Sequence, residues 1–127
     1  MRITTINYNE LAFGTKKQFK RMFKKCCYSG EKFEQHNTKT IEHIIPLSEG
    51  GMNDYSNYLI VKRSWNEKRS SIPLSEFIKK HPQVQENIIQ SVNEQEGKII
   101  NGINWSEAVK STLTKAIGTD IFQKRQK

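Results

Sequence analysis

The chain has 127 residues, the size of one ordinary domain with a modest core. Its 21 Lys and Arg outnumber its 13 Asp and Glu, and the formal net charge of +8 favours a polyanionic partner. The only cysteines are the adjacent pair Cys26 and Cys27, which excludes a disulfide-stapled scaffold. The sequence shows neither a long apolar run nor a secretory signal, so we expect a cytoplasmic protein.

The N-terminal quarter divides into a weakly patterned start and a basic helix. Residues 1–14 alternate weakly between apolar and polar, which predicts a short strand or a loose arm. From about residue 15 to 27, lysines and an arginine surround apolar positions at three- and four-residue spacing, and this pattern is typical of an amphipathic helix. Its apolar stripe consists of Phe19, Met22, Phe23 and Cys26. A basic helix face is more often solvated than a binding surface.

The middle of the chain predicts a hairpin. Residues 40–45 form a β-prone run that Pro46 should end. Turn-forming residues then continue to Asn57, and residues 58–61 supply a second β-prone run. We therefore expect two short strands joined by a long, structured loop.

Helices should make up the rest of the chain. Ser64 and Glu67 have the spacing of a capping box, which predicts a short helix over residues 65–70. Further helices are predicted at residues 74–80, after Pro82 and from Asn104, where Glu107 completes a second capping box; residues 97–102 should separate the last helix.

Polar side chains concentrate where these elements should meet. Glu42 and His43 lie near the end of the first strand, Asn57 precedes the second, and Asn66 lies on the helix that follows. A hairpin folded back on a helix brings such residues together around a small polar pocket. Carboxylate and carboxamide oxygens in that pocket suit Mg²⁺ or Mn²⁺.

These residues occur in an ordered and spaced motif. Residues 41–51 (IEHIIPLSEGG), 57–60 (NYLI) and 66–68 (NEK) resemble the HNH nuclease motif of the ββα-metal fold. The spacings, 14 residues from His43 to Asn57 and 9 from Asn57 to Asn66, are similar to those of the HNH domain in the RNA-guided CRISPR nuclease.

The resemblance implies an α+β fold with a ββα-metal core of a short hairpin plus a helix and with flanking helices. We expect a single nuclease domain over residues 1–127, with the motif core at about 40–73. The basic helix at about 15–27 precedes it, and a helical extension at about 74–120 follows it.

The resemblance also implies an activity, that of a metal-dependent endonuclease that nicks or cuts both strands of DNA. Its catalytic residues would be His43, Asn57 and Asn66. His43 would be the general base, which must be neutral to take a proton from water. Glu42 and Asn66 would hold one divalent cation, Mg²⁺ or Mn²⁺, as a Lewis acid. Asn57 would tie the loop to the hairpin and so direct His43.

Two departures from the family pattern affect the metals. The family usually has Asp before its histidine, where this chain has Glu42. Many relatives carry two Cys pairs that hold a structural zinc, but here Ser29 occupies the second position of the first pair and no later pair follows. We therefore expect no structural zinc. Packing should hold the core, with Phe19, Phe23, Phe33, Trp65 and Ile72 around the hairpin.

DNA is the expected partner, and no membrane contact is expected. The residues expected to bind phosphates are Lys62, Arg63, Lys68 and Arg69. His36 fits an exposed loop better than a further metal group. Two alternatives stay open, a catalytically weak DNA-binding module on an HNH scaffold and an RNA-cleaving toxin-type nuclease. A homodimer or a protein partner also stays open.

Overall fold

Two short antiparallel strands, β1 (Lys39–His43) and β2 (Tyr58–Lys62), lie at the centre of the chain. The computed structural model describes residues 16–35 and 38–123. In the register of the hairpin, His43 faces Tyr58 at one end and Lys39 faces Lys62 at the other. Because successive side chains of a strand point to opposite faces, Lys39 and His43 share one face while Glu42 lies on the other.

Helices follow the hairpin and cover it. The first, α1 (Arg63–Arg69), contacts both strands directly. The remaining elements, in chain order, are α2 (Leu74–Lys80), α3 (Gln83–Glu94), the two-residue strands β3 (Ile99–Ile100) and β4 (Ile103–Asn104), and α4 (Trp105–Ile117). The predicted α+β class, with a hairpin-plus-helix core and flanking helices, is confirmed. No helix in the described ranges is long and apolar enough to cross a membrane.

An aromatic cluster joins the N-terminal part of the chain to the last helix. Phe19 contacts the rings of Phe23 and Trp105 edge-on at centroid distances of 5.1 and 5.7 Å. The indole nitrogen of Trp105 donates to the carbonyl oxygen of Tyr58, 3.1 Å away, which ties α4 to β2. Of the predicted core, Phe19 and Phe23 are fully buried. The others, Phe33, Trp65 and Ile72, are half-buried against it.

The N-terminal helix ends earlier than predicted. Residues 16–21 are helical, and the chain then turns at residues 27–29. The thiol of Cys26 accepts the backbone N–H groups of Ser29 and Lys62 at 3.4 and 3.2 Å, which fixes this turn against β2. The expectations for residues 1–14 and for His36 lie outside the described residues.

Two further predictions about local structure need correction. Helix α1 begins at Arg63 and has no side-chain cap, so Ser64 lies inside its first turn and the first capping box was wrong. The second N-cap is confirmed, since the Asn104 side chain accepts the N–H of Glu107 at 3.3 Å. Residues 97–102 were predicted only to separate two helices, but they include part of a small hairpin. Its turn, Asn101 and Gly102, has positive φ angles of 53° and 77°.

Candidate active site

His43 is held at the end of β1 by two residues. Its Nε2 atom lies 3.0 Å from Oδ1 of Asn53, and the Tyr58 hydroxyl donates to the same oxygen at 2.7 Å. The Tyr58 ring packs edge-on against the imidazole at 5.2 Å. Because an amide oxygen only accepts hydrogen bonds, this contact favours the tautomer that carries the proton on Nε2 and the lone pair on Nδ1. This half-buried imidazole is therefore oriented with one basic nitrogen outside the bond to Asn53.

The contact of Asn53 with His43 was not predicted, because Asn53 lies among the turn-forming residues of the loop. Its backbone neighbourhood is a loop, and nothing in the sequence distinguishes its amide from that of any other turn asparagine. Asn53 is ten positions from His43 in sequence. The loop returns to the end of β1 and so brings the two side chains within hydrogen-bond distance.

We expect Asn53→Ala to lower the DNA cleavage rate on the order of 10-fold while leaving DNA affinity unchanged, because the imidazole loses the acceptor that sets its tautomer. Asn53→Asp is the matched control, since it keeps an oxygen acceptor at that position. Single-turnover cleavage and fluorescence anisotropy separate the two effects. Equal rates for Asn53→Ala and the wild type would show that Asn53 does not position His43.

Asn57 closes the loop between the strands. Its side-chain nitrogen donates to the carbonyl oxygens of Ile45 and Met52 at 3.0 and 2.8 Å, and its oxygen accepts the Ile45 N–H at 2.9 Å. A Cβ at Gly51 would collide with the Ile45 carbonyl oxygen, so the loop requires glycine there. Asn57 is 1% exposed and uses both ends of its amide within the loop. Its amide therefore holds the two ends of the loop together.

Glu42 lies on the opposite face of β1 from His43 and is 5% exposed. Its Oε2 atom accepts the hydroxyl of Tyr28 and pairs with Nη1 of Arg69 at 3.0 Å. Burial raises the pKa of Glu42, and the bonds from Tyr28 and Arg69 oppose that rise. Burial, followed by the Glu42 charge, raises the pKa of Tyr28 well above its ordinary value, so its hydroxyl remains a donor.

Arg69 is part of this buried network and not of the surface. It is 1% exposed. Besides its pair with Glu42, its guanidinium donates to the carbonyl oxygens of His43, Ile44 and Ile72 at 3.1, 2.9 and 2.7 Å. The expectation that Arg69 contacts phosphates was therefore wrong, because its donors are used inside the protein. Arg69 instead joins the C-terminal end of α1 to the backbone at His43.

Asn66 faces β1 from the middle of α1. Its side-chain nitrogen donates to Oγ1 of Thr40 and to the Ile41 carbonyl oxygen at 3.1 and 3.3 Å. Among the described residues, neither Oδ1 of Asn66 nor Oε1 of Glu42 accepts a hydrogen bond. No cluster of three or more His, Cys, Asp or Glu side chains occurs in the ranges 16–35 and 38–123.

Three of the four basic residues that we expected to bind nucleic acid remain accessible. Lys62 is half-buried and pairs with Glu31 at 3.0 Å. Lys68 is exposed, and its ammonium lies 4.2 Å from the centre of the Trp65 ring. Arg63 is exposed at the start of α1. Arg63 and Lys68 are exposed cations of α1, and Lys62 is its N-cap residue.

The comparison with known families bears on residues 26–74, which match the family model described as HNH endonuclease. This match supports the assignment of residues 26–74 to the HNH endonuclease family. The matched segment contains the Cys26 turn, the hairpin, α1 and the first residue of α2. Neither a curated protein nor a solved structure matches the chain. The HNH domain supports a nuclease-type function, a nucleic-acid substrate and, in general, a divalent metal.

Proposed function

We propose that this HNH domain hydrolyses phosphodiester bonds of DNA with the help of one divalent cation. The observation that carries the proposal is the orientation of His43, whose Nε2 bonds Asn53 and whose Nδ1 keeps a lone pair. His43 takes a proton from water as the water oxygen bonds to phosphorus. The bond from phosphorus to the 3′ oxygen breaks, and the products carry 5′-phosphate and 3′-hydroxyl ends.

Glu42 and Asn66 are the residues that would hold the cation, Mg²⁺ or Mn²⁺. Carboxylate and amide oxygens are hard donors, which both ions prefer. When bound, the cation stabilises the negative charge that develops on the phosphate and on the departing oxygen. Arg69 offsets part of the Glu42 charge, since it lies 3.0 Å from Oε2. We therefore expect weak metal affinity that improves when the substrate phosphate is present.

The basic surface supports a nucleic-acid substrate. The net charge of +8 and the accessible Arg63 and Lys68 favour sequence-independent contacts to phosphates. An RNA-cleaving nuclease would use the same residues. A catalytically weak DNA-binding module also has support, because the burial of Glu42 and its pair with Arg69 compete with metal binding.

A metal titration tests the cation site through Asn66, since Asn66 lies outside the buried Glu42–Arg69 pair. We expect Asn66→Ala to need about tenfold more Mg²⁺ for half-maximal nicking, because it removes an oxygen ligand. Asn66→Asp should lower the Mg²⁺ requirement below that of Asn66→Ala, since it restores the oxygen with a negative charge. Asn93→Ala, at an exposed position of α3, is the matched control.

The outcomes separate the candidate functions. The same Mg²⁺ dependence for Asn66→Ala and the wild type would show that Asn66 is not a ligand. DNA binding without nicking in Mg²⁺ or Mn²⁺ would favour the binding module. Cleavage of RNA but not DNA would favour the RNA nuclease.

A further inference from the structure

A cationic cleft lies beside the start of β1 and contains none of the residues assigned to the active site. Its volume is about 440 Å³. It is lined by four basic and two aromatic residues and by no carboxylate among the described residues, namely Arg21, Phe23, Lys24, Lys32, Phe33 and Lys39. We refer to this surface as the basic cleft.

No acidic side chain within residues 16–35 and 38–123 forms an ion pair with a cation of the basic cleft. Arg21, Lys24 and Lys32 are exposed, and their side chains form no ion pair with any described residue. Lys62, in contrast, forms an ion pair with Glu31. Surface cations that the fold leaves unpaired in one concavity create a strong positive potential, which attracts anions.

Lys39 is the half-buried cation of the basic cleft. Its ammonium donates to the Lys20 carbonyl oxygen at 3.0 Å and lies 5.4 Å from the centre of the Phe33 ring. Burial, followed by the charges of Arg21 and Lys20, lowers the pKa of Lys39. The surrounding cations therefore already act on one another, and a bound polyanion would relieve their repulsion.

The basic cleft and His43 lie along the same face of the hairpin. Lys39 and His43 are four residues apart on β1, so their side chains point to the same side and their Cα atoms are separated by roughly 13 Å. Successive base pairs of DNA rise about 3.4 Å, so this distance corresponds to about four base pairs. A nucleic acid cleaved at His43 can therefore extend to the basic cleft.

We propose that the basic cleft binds the phosphate backbone of the same DNA that His43 cleaves, a few nucleotides from the scissile bond. This inference rests on the proposed function. Several separated cations fit successive phosphates of a polyanion better than a single small anion. The lining offers cations, which bind phosphate oxygens, and aromatic rings.

The test compares two triple variants of the full chain, each made with His43→Ala so that DNA stays intact. One removes three charges of the basic cleft, with Arg21→Gln, Lys24→Gln and Lys32→Gln. The matched control removes three exposed charges from α2 and α4, with Lys79→Gln, Lys80→Gln and Lys115→Gln. Affinity for a labelled duplex of about 30 base pairs is measured by anisotropy over a series of salt concentrations.

The slope of log affinity against log salt is negative. Relative to His43→Ala alone, we expect the cleft variant to reduce the magnitude of this slope by about 2.7, because three phosphate contacts are lost. The control variant should lower it by less than about 1, and both should retain the wild-type far-UV circular dichroism spectrum. Equal slopes for the two variants would overturn the proposal, and a larger loss for the control would overturn it too.

The results distinguish a wrong assignment of the basic cleft from a wrong assignment of nuclease function. Cleavage by the chain with His43 intact, combined with equal salt slopes, would refute only the basic cleft. A lower slope for the cleft variant without cleavage by the wild type would refute the nuclease activity and leave the basic cleft as a DNA-binding site. Binding to RNA with the cleft-dependent slope, but not to DNA, would overturn the assignment of DNA as its ligand.

Discussion

His43→Ala should lose nearly all DNA cleavage, a fall on the order of 100- to 10,000-fold, while it still folds and binds DNA. The imidazole is the only group we place to take the proton from attacking water, and its Nδ1 is the nitrogen outside the bond to Asn53. The ring is half-buried and contributes one edge-on contact to Tyr58, so its removal should cost little stability. Single-turnover cleavage and anisotropy measure the two properties separately.

His81→Gln is the matched control for His43→Ala. The His81 ring contacts Trp65 and Phe77 at 5.4 and 4.8 Å, on a different part of the protein from the end of β1. We expect near wild-type cleavage from this variant. Cleavage by a homogeneous His43→Ala preparation at the wild-type rate would refute the assignment of the base.

Arg69→Met should destabilise the protein by about 3–5 kcal/mol, the largest stability effect we expect from a single substitution here. The substitution leaves the buried Glu42 charge without its cation. It also removes donors from the carbonyl oxygens of His43, Ile44 and Ile72. Urea unfolding followed by circular dichroism measures the change in the free energy of unfolding.

Two further variants serve as controls for Arg69→Met. Lys68→Met, at the neighbouring exposed position of α1, should change stability by less than about 0.5 kcal/mol. Glu42→Gln combined with Arg69→Met should be more stable than Arg69→Met alone, because no buried charge is left unpaired. A loss below about 1 kcal/mol for Arg69→Met would contradict the buried network.

The hairpin and its polar residues could be predicted because local sequence and motif agree there. The β-prone runs end at Pro46 and begin after Asn57, and the strands lie close to where these signals place them. Asn57 has the loop-closing bonds that the family resemblance implied. Most element types followed from the same local patterns, and the α+β class followed from the family resemblance.

Arg69 was mispredicted because its burial depends on a partner far away in sequence. Charged residues are rarely buried unless they are paired. The sequence does not show that Glu42, 27 positions earlier, contacts Arg69 in the folded protein. The small hairpin at Asn101 and Gly102 is a different case. Its Asn-Gly pair between apolar residues is a hairpin-turn signal that local sequence alone can supply.

Incubation of the purified protein with supercoiled plasmid, in Mg²⁺ or Mn²⁺ and beside an EDTA control, tests the central claim most directly. We predict metal-dependent conversion to nicked or linear DNA whose ends DNA ligase can rejoin, since hydrolysis should leave 5′-phosphate and 3′-hydroxyl groups. Plasmid that stays supercoiled with either cation, or conversion at the same rate in EDTA, would contradict a metal-dependent endonuclease.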